Sequence, residues 1–178
     1  MKHVMLDLET WDNTATAVVI QIGACYFDPT TKKIGQKYMQ HIHADSEMRA
    51  GFTIGASTID WWMQQSSKAQ CAALGNITER KPSFDVWLDF NFFLRHAEHI
   101  WSHASFDAAI LTYHLSVHNI KPVFSYHALK DLRTLQLLSG IDPKVYKLAS
   151  DGVLHDALTD ATLQADWAGD ALVKIGCI

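Results

Sequence analysis

The first apolar run of the chain, HVMLDLE at residues 3–9, ends with two acids two positions apart. A short run this apolar reads as a buried strand. Side chains two apart on a strand point to the same face, so Asp7 and Glu9 present two carboxylates side by side. Like charges that close repel, and a proton or a cation must relieve them. The pattern therefore points to a sheet with a buried strand whose acids emerge at its C-terminal end. Taken alone, the pair equally fits a solvated strand end.

The segments that follow supply the partners of that strand. Residues 17–27, AVVIQIGACYF, predict a second strand with Gly23 as a bulge. Asp28 to Lys33 is a hairpin turn, and residues 34–43 alternate as a third strand. Helices are predicted at Thr58–Gln65 with Ser57 as N-cap, and at Ser66–Leu74. A further helix starts at a Ser83 cap, and its apolar residues Phe84, Trp87, Leu88 and Phe92 recur at helical spacing. Residues 98–102 form a short strand. Helices follow at 106–118, at 129–138 before Gly140 and Pro143, and at 155–173, with Ser125 starting a short strand or a cap. Three strands in a meander, joined by a later strand through a helical crossover, imply an α/β fold. Its sheet is mixed, of about five strands, with helices on both faces.

At 178 residues, 48% hydrophobic and 19% charged, the chain fits one globular domain spanning 1–178. No stretch reaches the roughly 18 consecutive apolar residues of a membrane span, so no membrane partner is expected. The opening MKHVMLDLET lacks the apolar core of a signal peptide, which points to an intracellular, cytoplasmic protein. Cys25, Cys71 and Cys177 show no metal-ligand spacing and are expected as free thiols. The net charge of −4 argues against a protein that coats nucleic acid through charge. It does not argue against an enzyme that holds divalent cations, because such a site is negative until the cations bind.

Two further segments carry acids at distinctive places. In SHASFD, residues 102–107, a short strand enters a turn and Asp107 opens the next helix, where it also suits an N-terminal cap. In HDALTD, residues 155–160, His155 and Asp160 are five apart. On a helix of 3.6 residues per turn that spacing separates them by roughly 140°. They converge only where His155 lies just before the helix and Asp160 in its first turns.

Together, DLET (Asp7–Thr10), SHASFDAAIL (Ser102–Leu111) and HDALTDA (His155–Ala161) resemble the DEDDh exonucleases. These form the DnaQ-like branch of the ribonuclease H-like fold. TIDWWMQQS and DLRTL are similar to the small exoribonuclease-like subgroup that includes phage exonuclease A. The resemblance implies a metal-dependent 3′→5′ exonuclease acting on RNA or single-stranded DNA with a free 3′ end. Its catalytic residues would be Asp7, Glu9, Asp107, His155 and Asp160. It implies two Mg²⁺ or Mn²⁺ ions held by Asp7, Glu9, Asp107 and Asp160, with His155 as general base, and a possible homodimer. Thr10, Leu8 and Trp11 are candidates for contact with the terminal nucleotide. Trp61 or Trp62, roughly 100° apart on a helix, offers a stacking surface, and Gln65, His103 and Phe106 are candidates to line the same cleft. Lys144 and Lys147, upstream of His155, could guide phosphates. The rival expectation is a nuclease fold with weak or no activity that binds nucleic acid or a protein partner.

Overall fold

The computed structural model describes residues 1–148 and 152–178. Five strands form one sheet: β1 (His3–Thr10), β2 (Val19–Phe27), β3 (Ile34–His41), β4 (His99–Ser102) and β5 (Leu129–Asp131), in the order β3-β2-β1-β4-β5. The meander pairs antiparallel, while β4 and β5 add in parallel on the other side of β1. The sheet is mixed, as expected, and the acid-bearing strand is central.

Eight α-helices complete the described residues: α1 (Ala44–Arg49), α2 (Ala56–Met63), α3 (Ser67–Leu74), α4 (Ser83–Phe93), α5 (Ala109–Val117), α6 (Leu132–Ser139), α7 (Lys144–Leu148) and α8 (Ala157–Lys174). Strand alternation sorts β1 between two cores. Val4, Leu6 and Leu8 pack with Trp87 and Phe90 of α4 and with Ile110 and Leu111 of α5. Met5 packs on the opposite face with Leu132 and Leu135 of α6 and with Ala161, Ala165 and Ala168 of α8. Asp7 and Glu9 share the parity of Met5, so they leave the sheet on the α8 side. The small alanines of α8 let it lie close against the strands.

Several local readings change in three dimensions. Gly23 is not a bulge: it pairs in register with Asp7 and Met39, and the irregularities fall between Glu9 and Thr10 and between Cys25 and Phe27. α2 starts after Gly55, which places Ser57 inside the helix rather than at its cap. Pro82, not Ser83, precedes α4, and the Ser83 hydroxyl donates instead to the buried Glu47 carboxylate of α1, a helix not anticipated. Glu47 also accepts from Trp87 Nε1 (3.1 Å) and from the Val19 backbone (3.1 Å), so its burial is offset by several donors. The buried face of α4 is Val86, Trp87, Phe90 and Phe93, whereas Phe84, Leu88 and Phe92 are exposed. Residues 129–131 are a strand, and Asp131 caps α6 by accepting from Arg133 and Thr134. Cys25, Cys71 and Cys177 are free thiols. Among the described residues no helix is long and apolar enough to cross a membrane.

Candidate active site

Three elements deliver the acids to one place. β1 contributes Asp7 and Glu9. Asp107 comes from a wide helical turn, Ala104–Ala108, that links β4 to α5. Its Oδ1 accepts from the Leu8 backbone at 3.2 Å and its Oδ2 from the His103 backbone at 2.9 Å. Asp107 therefore does the work of a turn cap, yet it is pinned against β1 between Asp7 and Glu9. Asp160 lies in the first turn of α8 and accepts from the His155 backbone at 3.0 Å.

His155 takes the place that convergence requires. It stands just before α8 with φ of 62°, a left-handed conformation that histidine adopts more readily than most residues. Asp156 follows as N-cap, accepting from Thr159. The turn is fastened to β2 by the fully buried Gln21. Its Nε2 donates to Asp156 Oδ2 at 2.9 Å, and its Oε1 accepts from the Ala157 backbone at 2.9 Å. Donor atoms of Glu9, His155 and Asp160 consequently lie within 4.8 Å of one another.

The electrostatics of this cluster are unfavourable without a cation. Burial raises the Asp7 carboxyl well above the usual carboxylate range, with Asp107, Glu9 and Asp160 adding like charge. Burial also pushes Glu9 up to about 8, helped by Asp160, Asp107 and Asp156 and opposed by Lys147. Asp160 is raised by burial against the pull of Lys147. The same cause lowers His155, with Asp160 opposing, so the ring favours its neutral form. One oxygen of Asp160, Oδ1, is buried without a partner. A set of buried, oxygen-rich, mutually repelling donors with an open valence fits a hard divalent cation.

The remaining predicted residues fall into different settings. Trp61 is 41% exposed and its ring stands 4.9 Å from the His155 ring at 90°, at the mouth of the site. Trp62 is buried and donates from Nε1 to the Thr10 carbonyl at 2.8 Å, so it holds the end of β1 rather than facing solvent. Thr10 is buried too, and its hydroxyl donates to the Asp12 carbonyl. The Leu8 side chain is inside the core on the far face of the strand. Trp11 packs on a small cluster with Ile20, Phe52 and Trp62. Gln65 donates to the Trp61 carbonyl, His103 Nδ1 is 3.6 Å from Asp107, and Phe106 packs against the core.

Two polar residues of the site escape sequence reading. Gln21 sits in an otherwise apolar strand. Gln164 sits on the alanine-rich buried face of α8, one turn beyond Asp160, and donates to Asp7 Oδ1 at 2.7 Å. A lone polar side chain on a buried apolar face is the signal that marks each.

A family profile described as the 3′-5′ exoribonuclease Rv2179c-like domain matches residues 2–172. The chain belongs to that family. It is a 3′-5′ exonuclease, and its substrate is nucleic acid. No curated protein matches it. Among solved structures, the nuclease domain of 3′hExo, a DEDDh family member bound to rAMP, superposes with a TM-score of 0.64 at 12% identity. That match covers 98% of this chain and 92% of the other. A 3′-exonuclease in 3′-end-specific recognition of a histone mRNA stem-loop gives a TM-score of 0.65 at 12% identity, covering 98% and 82%. At such identities the likeness speaks for the fold, which is ribonuclease H-like.

Proposed function

We propose that residues 1–178 act as one exonuclease domain that shortens RNA or single-stranded DNA, including 3′ overhangs, and releases nucleoside 5′-monophosphates. The observation that carries this reading is the gathering of Asp7, Glu9, Asp107, His155 and Asp160 into one partly buried cluster. Asp7, Glu9 and Asp160 would hold one divalent ion, and Asp7 with Asp107 a second. Two Mg²⁺ or Mn²⁺ ions in such a site neutralise charge on the phosphate and acidify the attacking water.

The chain's own groups do the rest. His155, kept neutral by burial, accepts the proton of the attacking water at its ring nitrogen. Its backbone bond to Asp160 and its edge-on contact with Trp61 fix the ring's direction. The exposed Trp61 indole takes the terminal base by stacking, which is tolerant of sequence. In this reading the sugar would lie beside the end of β1 at Thr10, with His103, Trp11 and Gln65 as candidate contacts around it. With its side chain in the core, Leu8 contributes only backbone, and Phe106 and Trp62 support the wall. Lys147, whose charge reaches Glu9, His155 and Asp160, suits an incoming phosphate.

Digestion of matched 5′-labelled RNA and DNA oligomers with Mg²⁺, Mn²⁺ or EDTA tests this reading. A ladder of stepwise shorter labelled products, abolished by EDTA, is expected. Internal cuts, or label released as a mononucleotide, would rule it out. A silent binding module, the alternative reading, would bind the oligomers without shortening them. The same proposal carries a cytoplasmic role and a homodimer, the latter checked by sedimentation over a range of concentrations.

A further inference from the structure

Four buried side-chain atoms among the described residues have no hydrogen-bond partner, and two of them lie at this site: Asp160 Oδ1 and Gln164 Oε1. Buried polar atoms are nearly always satisfied, so such pairs call for an explanation. Gln164 is 7% exposed, and Asp160 is 6% exposed one helical turn before it on the same face of α8. The Gln164 amide is already committed on one side, because Nε2 donates to Asp7 Oδ1 at 2.7 Å. Nε2 and Oε1 belong to one planar group, so Oε1 is held beside Asp7 and cannot turn to solvent without breaking that bond.

We infer that Gln164 is a positioning residue for Asp7, resting on the metal-dependent reading above. Its N–H occupies one lone pair of Oδ1 and fixes the carboxylate plane, leaving the remaining lone pairs directed at the cation site. Its Oε1 then accepts from a water ligand of the bound ion, which supplies the missing donor. Partners that orient a metal-binding carboxylate from behind are commonly worth about 10- to 100-fold in metal affinity. A donor that also opposes the charge accumulated on Asp7 acts in the same direction. The surrounding face of α8 is alanine at 161, 165 and 168, so Gln164 brings the one amide that this face turns toward β1.

Calorimetric Mn²⁺ titration of the wild type and of Gln164→Met, which keeps length and loses both polar atoms, tests the inference. Metal-free melting and the Mn²⁺ dependence of oligonucleotide shortening are measured alongside. The expected result is Mn²⁺ binding weakened about 10- to 100-fold, with the half-saturating Mn²⁺ for hydrolysis raised in parallel. KM for the oligonucleotide at saturating Mn²⁺ should move by less than about twofold, since the amide is buried and committed to Asp7. Unchanged Mn²⁺ affinity and rate, with only the metal-free melting temperature altered, would overturn the inference and leave Gln164 a packing residue. If Gln164→Met does not fold, Gln164→Asn, one methylene short of Asp7, carries the same comparison. Should the wild type bind Mn²⁺ yet shorten no oligonucleotide, the exonuclease reading fails while calorimetry still decides the role of Gln164.

Discussion

Gly23 of β2 lies directly beneath Ala157 at the start of α8: a Cβ placed on Gly23 would stand 2.1 Å from the Ala157 carbonyl carbon. Only a residue without a side chain lets the helix start rest on the strand, and that rest sets the height of His155 and Asp160 above Asp7 and Glu9. Alanine at a strand position is ordinarily no worse than glycine. Here the obstructing atoms are backbone, and α8 must lift. Gly23→Ala should therefore cost about 1–3 kcal/mol of stability. It should also lower kcat about 100-fold, the scale expected for displacement of catalytic groups by about 1 Å. Thermal melting and single-turnover shortening of a labelled oligomer check both numbers.

His155→Ala removes the proposed proton acceptor and leaves the four acids in place. The expected result is a rate reduced by about 100-fold or more, the usual range for a lost general base. Mn²⁺ affinity, read by calorimetry, should change far less than the rate. A variant with near wild-type turnover would take His155 out of the mechanism.

Trp61→Ala should weaken oligonucleotide binding by about 1–3 kcal/mol, the contribution of one base stacked on an aromatic ring. Because Trp61 is exposed and Trp62 is the buried partner, stability should change little. Fluorescence anisotropy with a labelled oligomer, Ca²⁺ replacing the active metal, measures the loss. Equal binding by variant and wild type would move the base elsewhere in the cleft.

At the opposite end of the sheet, His3 Nδ1 accepts from Trp101 Nε1 at 3.0 Å, which requires a neutral ring. Burial first, and the neighbouring His99 second, lower the His3 pKa to about 4. In the unfolded chain His3 takes up a proton below about pH 6.5. Its contribution to stability is therefore full above that pH and is lost as pH falls toward about 4. His3→Gln keeps an acceptor for Trp101 without a titrating group. In EDTA, the wild type should lose about 1–2 kcal/mol relative to that variant between pH 7 and about 4.5, a figure discounted for partial exposure. Parallel pH profiles for the two proteins would show that His3 does not titrate in this way.

The acids and the histidine stood out through the resemblance of DLE, SHASFD and HDALTD, taken in that order, to the DEDDh exonucleases, since each segment alone also fits an ordinary strand end or helix cap. The mixed sheet followed from an apolar meander that later gains a strand through a helical crossover, whereas the central place of β1 emerges only from its pairing with β4. Other features depend on partners far along the chain. Gly23 read as a bulge because a glycine in a strand has several possible reasons, and only the approach of Ala157 selects one. α4 is apolar on most of its surface, so its period could not choose between Phe84, Leu88 and Phe92 and the face that is buried. Ser83 looked like a cap because nothing nearby in sequence announces Glu47 as its acceptor. β5 spans only Leu129–Asp131, too short to show alternation before Asp131 turns the chain into α6.

The bond from Gln164 to Asp7 joins residues 157 positions apart. The strand that bears Asp7 and Glu9 is thus made long before the helix that bears Asp160 and Gln164, and the cluster closes only when the two meet. Until that helix docks, Asp7 keeps its like-charged neighbours on and beside β1 but lacks the one side-chain donor that opposes them.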